Sequence, residues 1–262
     1  MLLGARQFFE RRGAPTPTAR DYVQMGLVAM WDGIENAGWG THNATASINW
    51  PSLIDATYSN RVVGSGYQWS FGTDGAKLVG ARAIVLTAST GKDLYFDLSN
   101  DATICVCETL PQTINSNNAL NFGFVTPNAA RHFLGLMCGT DGYYAGYRQN
   151  LAGNFTPRIA LNLSNGAKVS VSIVWHASTR TFDAYVGGTY IGTSTAIDQE
   201  KWDDEWDSGK QYKELIQSQF TGTWSTDDRC GTYHNLRVYS RALTAAEIAA
   251  NYAIDKARFN LP

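Results

Sequence analysis

Between residues 81 and 239 the chain offers one short run of aromatic and β-branched residues after another, each broken by Gly, Asn, Ser or Thr. Such runs point to antiparallel strands joined by turns. The spacing predicts strands at 81–87, 93–97, 102–110, 119–125, 132–138, 143–148, 158–163, 168–176, 181–186, 190–194 and 231–239, after a first strand at 22–31 and a turn at Asp32-Gly33. With no helices between them, they suit a two-sheet jelly roll. A single all-β unit accommodates most of 262 residues, since sandwiches often run to 200–250 residues around one core.

Charged residues make up 17% of the chain, below the roughly 25% of ordinary soluble domains. The net charge of −2 gives no basic field to hold nucleic acid or an anionic membrane, so neither is expected as a partner. No stretch approaches the roughly 20 apolar residues that cross a bilayer, which argues against membrane insertion. Cys105 and Cys107 are two apart in a strand pattern and point to one face, and Cys138 also follows an apolar run. Buried free thiols are expected, because Cys-x-Cys with no further Cys or His pair is poor zinc spacing.

Residues 1–21 form a separate block, and the globular unit is expected to span 22–262. The block pairs apolar Leu2, Leu3, Phe8 and Phe9 with Arg6, Arg11 and Arg12, then passes through Gly13-Ala-Pro-Thr-Pro-Thr18, whose prolines favour an extended linker. Charges interrupt what would be the apolar region of a secretion signal. This composition suits an arm that orders on a partner, with the apolar residues as anchors and the arginines for orientation.

The tail is the most specific segment. In Tyr233-His-Asn-Leu-Arg-Val-Tyr239, alternation puts Leu236, Val238 and His234 on one face and Asn235, Arg237 and Tyr239 on the other. Thr244 then stands at a helix N-cap position with Glu247 three residues on, a capping box, and Leu243, Ile248 and Tyr252 continue a helical stripe. Earlier, the run from Lys168 to Gly192 is a hydrophobic strand, a turn and a hairpin whose Gly187-Gly188 supplies positive φ angles.

The tail, this hairpin and the opening Gly26-Leu-Val-Ala-Met-Trp-Asp-Gly33 resemble the laminin-G-like, concanavalin A-like lectin/glucanase superfamily over residues 22–258. Ser52 in Trp50-Pro-Ser-Leu-Ile54 departs from the Asp that relatives carry there. The resemblance implies an all-β, concanavalin A-like jelly-roll sandwich of two antiparallel sheets with a short C-terminal helix. A leader like residues 1–12 resembles those in front of laminin-G-like modules in proteins of gut bacteria and their phages.

The superfamily includes glycoside hydrolases, which need two carboxyl groups on opposite sides of the scissile bond. Its glucanases carry Glu-x-Asp-x-x-Glu on one strand. The nearest match, Glu205-Trp-Asp-Ser-Gly-Lys210, has Lys210 in place of the last acid. His42, His132, His176 and His234 are scattered, and His176 sits in a core-strand pattern, so structural histidines are expected rather than a triad. Catalysis is therefore not expected.

Sugar recognition needs only an aromatic platform and a few polar groups. Trp202, Asp203, Trp206 and Asp207 supply them in one acidic loop, and Trp39, His42 and Asn43 in another, while Gln211 to Gln219 suggests about two helical turns. Tyr143 and Tyr144 read as strand packing on two faces. No cofactor is required. Calcium, common in the superfamily, would draw on Asp203-Asp204 or Asp227-Asp228, neither a complete ligand set.

The expectation is a non-catalytic recognition or adhesion module for a host or environmental glycan. The arm would fix it to other proteins of a virion surface or, alternatively, a bacterial cell surface. A purely structural subunit and a glycoside hydrolase are the rivals, and a homo-oligomer is compatible with either setting.

Overall fold

The computed structural model describes residues 16–35, 49–55, 59–62, 68–79, 83–86, 95–96, 99–112, 119–125, 133–139, 141–148, 157–197, 212–215, 217–219 and 231–262. Among them the strands form two sheets, and every strand pair is antiparallel. The first sheet holds β1 (Leu27–Asp32), β4 (Gln68–Phe71), β5 (Ala76–Val79), β8 (Ala102–Thr109), β13 (Lys168–His176), β14 (Thr181–Val186), β15 (Thr189–Thr193) and β18 (Thr232–Tyr239). Its order is β15-β14-β13-β8-β18-β5-β4, with β1 also paired to β18.

The second sheet holds β2 (Asn49–Pro51), β3 (Ser59–Val62), β6 (Ala83–Leu86), β7 (Tyr95–Phe96), β9 (Ala119–Val125), β10 (Phe133–Gly139), β11 (Gly142–Arg148), β12 (Arg158–Ala160), β16 (Tyr212–Leu215) and β17 (Gln217–Gln219). The expected jelly-roll sandwich is therefore present. The core between the sheets is aromatic at its centre: Trp50 stands edge-on to Trp69 with centroids 5.1 Å apart, and Trp69 edge-on to Tyr233. Trp31, Trp175, Phe122, Phe182, Leu236 and Val238 fill the rest.

Part of the outer face of the first sheet is buried too. Helix α1 (Ala245–Phe259) lies across it, begun by the expected capping box and ended by Asn260 in the left-handed conformation. At 15 residues it is longer than the stripe to Tyr252 suggested. Under it Cys105, Val174, Tyr185 and Tyr239 meet Leu243 and Ile248, while Cys107 meets Phe259 and Leu261. Cys105, Cys107 and Cys138 are buried thiols outside any disulfide, as expected.

Several expectations need correction. The first strand begins at Leu27, because Ala19–Asp21 forms a 3-10 turn and Gly26, at φ +76°, makes a second turn before the strand. Asp32 ends that strand, and the turn lies beyond it at Gly33–Glu35. Tyr212–Leu215 and Gln217–Gln219 form β16 and β17 rather than helix, because the edges of β9 and β6 offer the backbone ladder partners that outweigh helix propensity. His234 leaves the face of Leu236 and Val238. The register of β18 against β8 shifts between Tyr233 and Asn235, so Tyr233 reaches the core and His234 turns to Phe259.

Ser52 does work that suits an acidic side chain at this position. Its Oγ accepts from the backbone N–H groups of Met30 and Ile54, tying the segment after β2 to β1. Nearer the start of the chain, Ala19 is buried with Tyr22 and Met30, and its N–H donates to Glu35.

Candidate functional site

Trp39, His42, Asn43, Trp202, Asp203, Trp206 and Asp207 lie outside the described residues, as do the arm residues Leu2, Leu3, Arg6, Phe8, Phe9, Arg11 and Arg12. The same holds for Glu205, Lys210, the acidic pairs 203–204 and 227–228, and His132. Among the described residues no group of three or more His, Cys, Asp or Glu side chains is arranged to hold a metal.

Most acids and bases near the helix serve the fold. Arg237 grips Asp255 through two hydrogen bonds, and Arg258 grips Asp32 in the same way. Ser170 and Tyr22 add bonds to Asp255, and Asn235 adds one to Asp32. Beside this network a shallow cavity of about 500 Å³ is lined by Thr16, Pro17, Thr18, Arg20, Ile34, Glu35 and Arg258. Its Arg258 is already committed to Asp32 and Glu35, which leaves little for a ligand.

A different arrangement lies on the outer face of β13, β14 and β15, where the Tyr190 side chain is exposed. Gly187 and Gly188, at φ +56° and +72°, make the turn between β14 and β15. Only glycine suits Gly188, since an added Cβ would come within 3.1 Å of Tyr252 on the helix in a backbone region L side chains avoid. The turn is thereby pressed under the helix, and the strands leaving it are fixed in place.

Alternation then sorts the side chains. Phe182 and Ala184 enter the core, so Thr181, Asp183 and Tyr185 point outward. The register shifts between Ala184 and Tyr185, bringing Tyr185 opposite Tyr190 and Asp183 opposite Thr193. Tyr185 is buried, while Tyr190 is 51% exposed, and the two rings stand edge-on at 5.5 Å.

Four side chains are joined here by hydrogen bonds. His176 Nε2 meets Asp183 Oδ2 at 2.9 Å, and Thr193 Oγ1 donates to Asp183 Oδ1 at 2.5 Å. Thr193 has one proton and gives it to the carboxylate, so the Tyr190 hydroxyl donates in turn to Thr193 Oγ1 at 2.6 Å. Burial, with Asp183 nearby, raises the Tyr185 phenol above its ordinary range. The result is an exposed aromatic ring, held rigidly, next to a carboxylate, an imidazole and a hydroxyl.

His176 thus differs from the core position its neighbour Trp175 suggested. Trp175 points inward and His176, one residue on, points outward at the strand end. His234 is the structural histidine. Its Nδ1 faces the Asp74 carbonyl at 2.7 Å and so carries the proton, while Nε2 accepts from Thr109 Oγ1. Tyr143 and Tyr144 pack on opposite faces as expected, Tyr143 bonded to Asn165 and Tyr144 beneath the Arg158 guanidinium at 4.4 Å. Sequence reading missed the Asp183, Tyr190 and Thr193 surface. Its signal was the period-2 pattern of 181–193, blurred by the one-residue shift.

No protein-family model matches the chain, and no curated protein matches it in sequence. Solved structures do share its fold. Trypanosoma rangeli sialidase superposes with a TM-score of 0.59 at 18% identity, over 92% of this chain and 33% of the sialidase. The binding domain of Paraclostridial Mosquitocidal Protein 1 superposes with a TM-score of 0.53 at 12% identity, over 87% of this chain and 52% of that one. A mutant form of HCR/D gives 0.55 at 12%, again over 87% and 52%. The chain thus spans about a third of the sialidase and half of the two others. At these identities the likeness establishes the sheet-rich sandwich, which occurs in both an enzyme and a binding domain.

Proposed function

We propose that this chain is a non-catalytic recognition module that binds glycans through the outer face of β13, β14 and β15. The observation that carries this is the exposed Tyr190 ring, fixed by Tyr185 and Thr193, beside the Asp183 carboxylate. An aromatic face meets the C–H surface of a pyranose, and a neighbouring carboxylate accepts from its hydroxyls. Because ring and carboxylate are ordered before the ligand arrives, little entropy is lost on binding. The binding-domain neighbour lends support to a recognition role for this architecture.

The loops at 39–43 and 202–207 are proposed as further contacts, with Trp39, Trp202 and Trp206 as platforms. The arm within residues 1–21 is proposed to dock the module onto an assembly, a virion surface being the favoured setting. That part rests on the apolar and arginine-rich sequence of residues 2–12.

A glycan array probed with the whole chain tests the proposal, alongside Tyr190→Ala and a Trp202→Ala/Trp206→Ala variant. Saccharide binding that falls at least tenfold in Tyr190→Ala supports it. No binding to any saccharide favours a purely structural subunit, and release of free sugar from the bound ligand would restore the hydrolase alternative.

A further inference from the structure

The hydrogen-bond directions on this surface name the chemistry of its ligand. Thr193 spends its proton on Asp183 and Tyr190 spends its proton on Thr193. His176 Nε2 lies 2.9 Å from Asp183 Oδ2 and occupies that oxygen on one side. What then remains for a ligand is a set of acceptors: the lone pairs of Tyr190 Oη and the remaining lone pairs of the Asp183 carboxylate. Asp183 is bonded by an imidazole and a hydroxyl, and by no lysine or arginine among the described residues.

We infer that this surface takes a neutral hexose, its C–H face on the Tyr190 ring and its hydroxyls donating to Asp183, and that it rejects acidic sugars. The inference rests on the glycan-binding proposal above and adds its ligand class. A hexose brings several O–H donors on adjacent carbons, which an all-acceptor array requires. A sialic or uronic acid brings a carboxylate, which donates nothing and meets Asp183 as a like charge, with no lysine or arginine bonded to Asp183 among the described residues to offset it. An aliphatic chain would leave the acceptors desolvated and unpaired, a costly arrangement. Selection thus comes from repulsion as well as from attraction.

Saturation-transfer and chemical-shift NMR on the whole chain at pH 7.5 tests this. The probes are the methyl glycosides of glucose, galactose and mannose, and of glucuronic acid and N-acetylneuraminic acid. At least one neutral glycoside is expected to shift the Tyr190, Asp183 and His176 resonances, and the acidic pair to leave them unmoved. Asp183→Asn, which replaces an oxygen acceptor with a donor, should weaken the neutral sugar at least tenfold and narrow the margin against the acidic ones. Tyr190→Leu, which keeps bulk at an exposed position, should also lose the neutral sugar, while both variants keep the wild-type backbone spectrum elsewhere. Acidic glycosides binding at these residues as tightly as neutral ones would overturn the ligand class and leave glycan binding standing. No glycoside moving these residues, or binding indifferent to Asp183→Asn, would overturn the site itself.

Discussion

Arg237 on the last strand and Asp255 on the helix form a two-bond ion pair, 3.0 Å and 2.7 Å long, with both side chains wholly shut off from solvent. The Tyr22 ring lies 4.0 Å from the guanidinium, and its hydroxyl donates to the same carboxylate. Three separate stretches of chain are thus joined at one point, and the helix is part of the sandwich rather than an appendage.

Breaking such a pair strands a buried charge, which costs about 3–5 kcal/mol. Asp255→Ala is expected to lower the unfolding free energy by that amount in urea melts. The double variant Arg237→Met/Asp255→Leu should recover part of the loss, because no charge is left buried alone, while the Ser170 and Tyr22 hydroxyls still lose their acceptor. A single-variant loss of less than about 1 kcal/mol would show that water reaches the pair.

The cap of the helix makes a smaller, pH-dependent contribution. Thr244→Ala removes a hydroxyl that accepts from the Glu247 N–H, and is expected to cost about 1 kcal/mol. Bonds from Arg241, and then from Thr244, lower the Glu247 carboxyl from 4.5 to about 2. A depressed carboxylate stabilises the fold above 4.5, and that share is lost as pH falls towards 2. Thermal melts from pH 5 to pH 2 should show wild type losing an increment that Glu247→Gln lacks.

His234 works over a different window. Burial pushes its pKa below 6.5, although the Asp74 carbonyl favours the charged ring. In the unfolded chain the imidazole binds a proton at higher pH than in the fold, so stability is undiminished above 6.5 and declines as pH falls below it. His234→Gln should flatten the stability profile between pH 6.5 and pH 5 in equilibrium unfolding. An unchanged slope would mean that His234 titrates normally.

Buried phenols set the alkaline limit. Burial first, with nearby carboxylates adding to it, raises Tyr22, Tyr143 and Tyr239 above the ordinary value of 10. Above pH 10 the unfolded chain loses these protons and the fold keeps them, so stability should fall with rising pH. Absorbance near 295 nm should show phenolate appearing together with unfolding, whereas ionisation in the intact fold would contradict the burial.

Gly188 links stability to the binding surface. Gly188→Ala forces a Cβ to within 3.1 Å of Tyr252 at φ +72° and is expected to cost about 1–3 kcal/mol. Since Tyr190 leaves that turn, the variant should also weaken saccharide binding while remaining folded at 25 °C. Binding at wild-type strength would mean that the helix does not position the platform.

Sheet architecture was legible because alternation and turn chemistry are local. The strands Ala119–Val125, Lys168–His176 and Thr181–Val186 fall where expected, and so do the capping box and the Gly187-Gly188 turn. Strands such as Asn49–Pro51 and Gln68–Phe71 escaped notice, since three or four residues carry too little period, yet they deliver Trp50 and Trp69 to the core. Arg237 and Asn235 read as an outward polar face, and only the packed helix explains their burial. The Tyr190 surface depends on a one-residue register shift, which no local pattern encodes. The tryptophan loops fall outside the described residues, and their part in binding rests on sequence.

A crystal structure of the whole chain soaked with the tightest neutral saccharide from the array tests the central claim most directly. The account predicts a pyranose ring stacked on Tyr190 with a hydroxyl within hydrogen-bond distance of Asp183. A saccharide bound elsewhere, with the Tyr190 face bare, would contradict it.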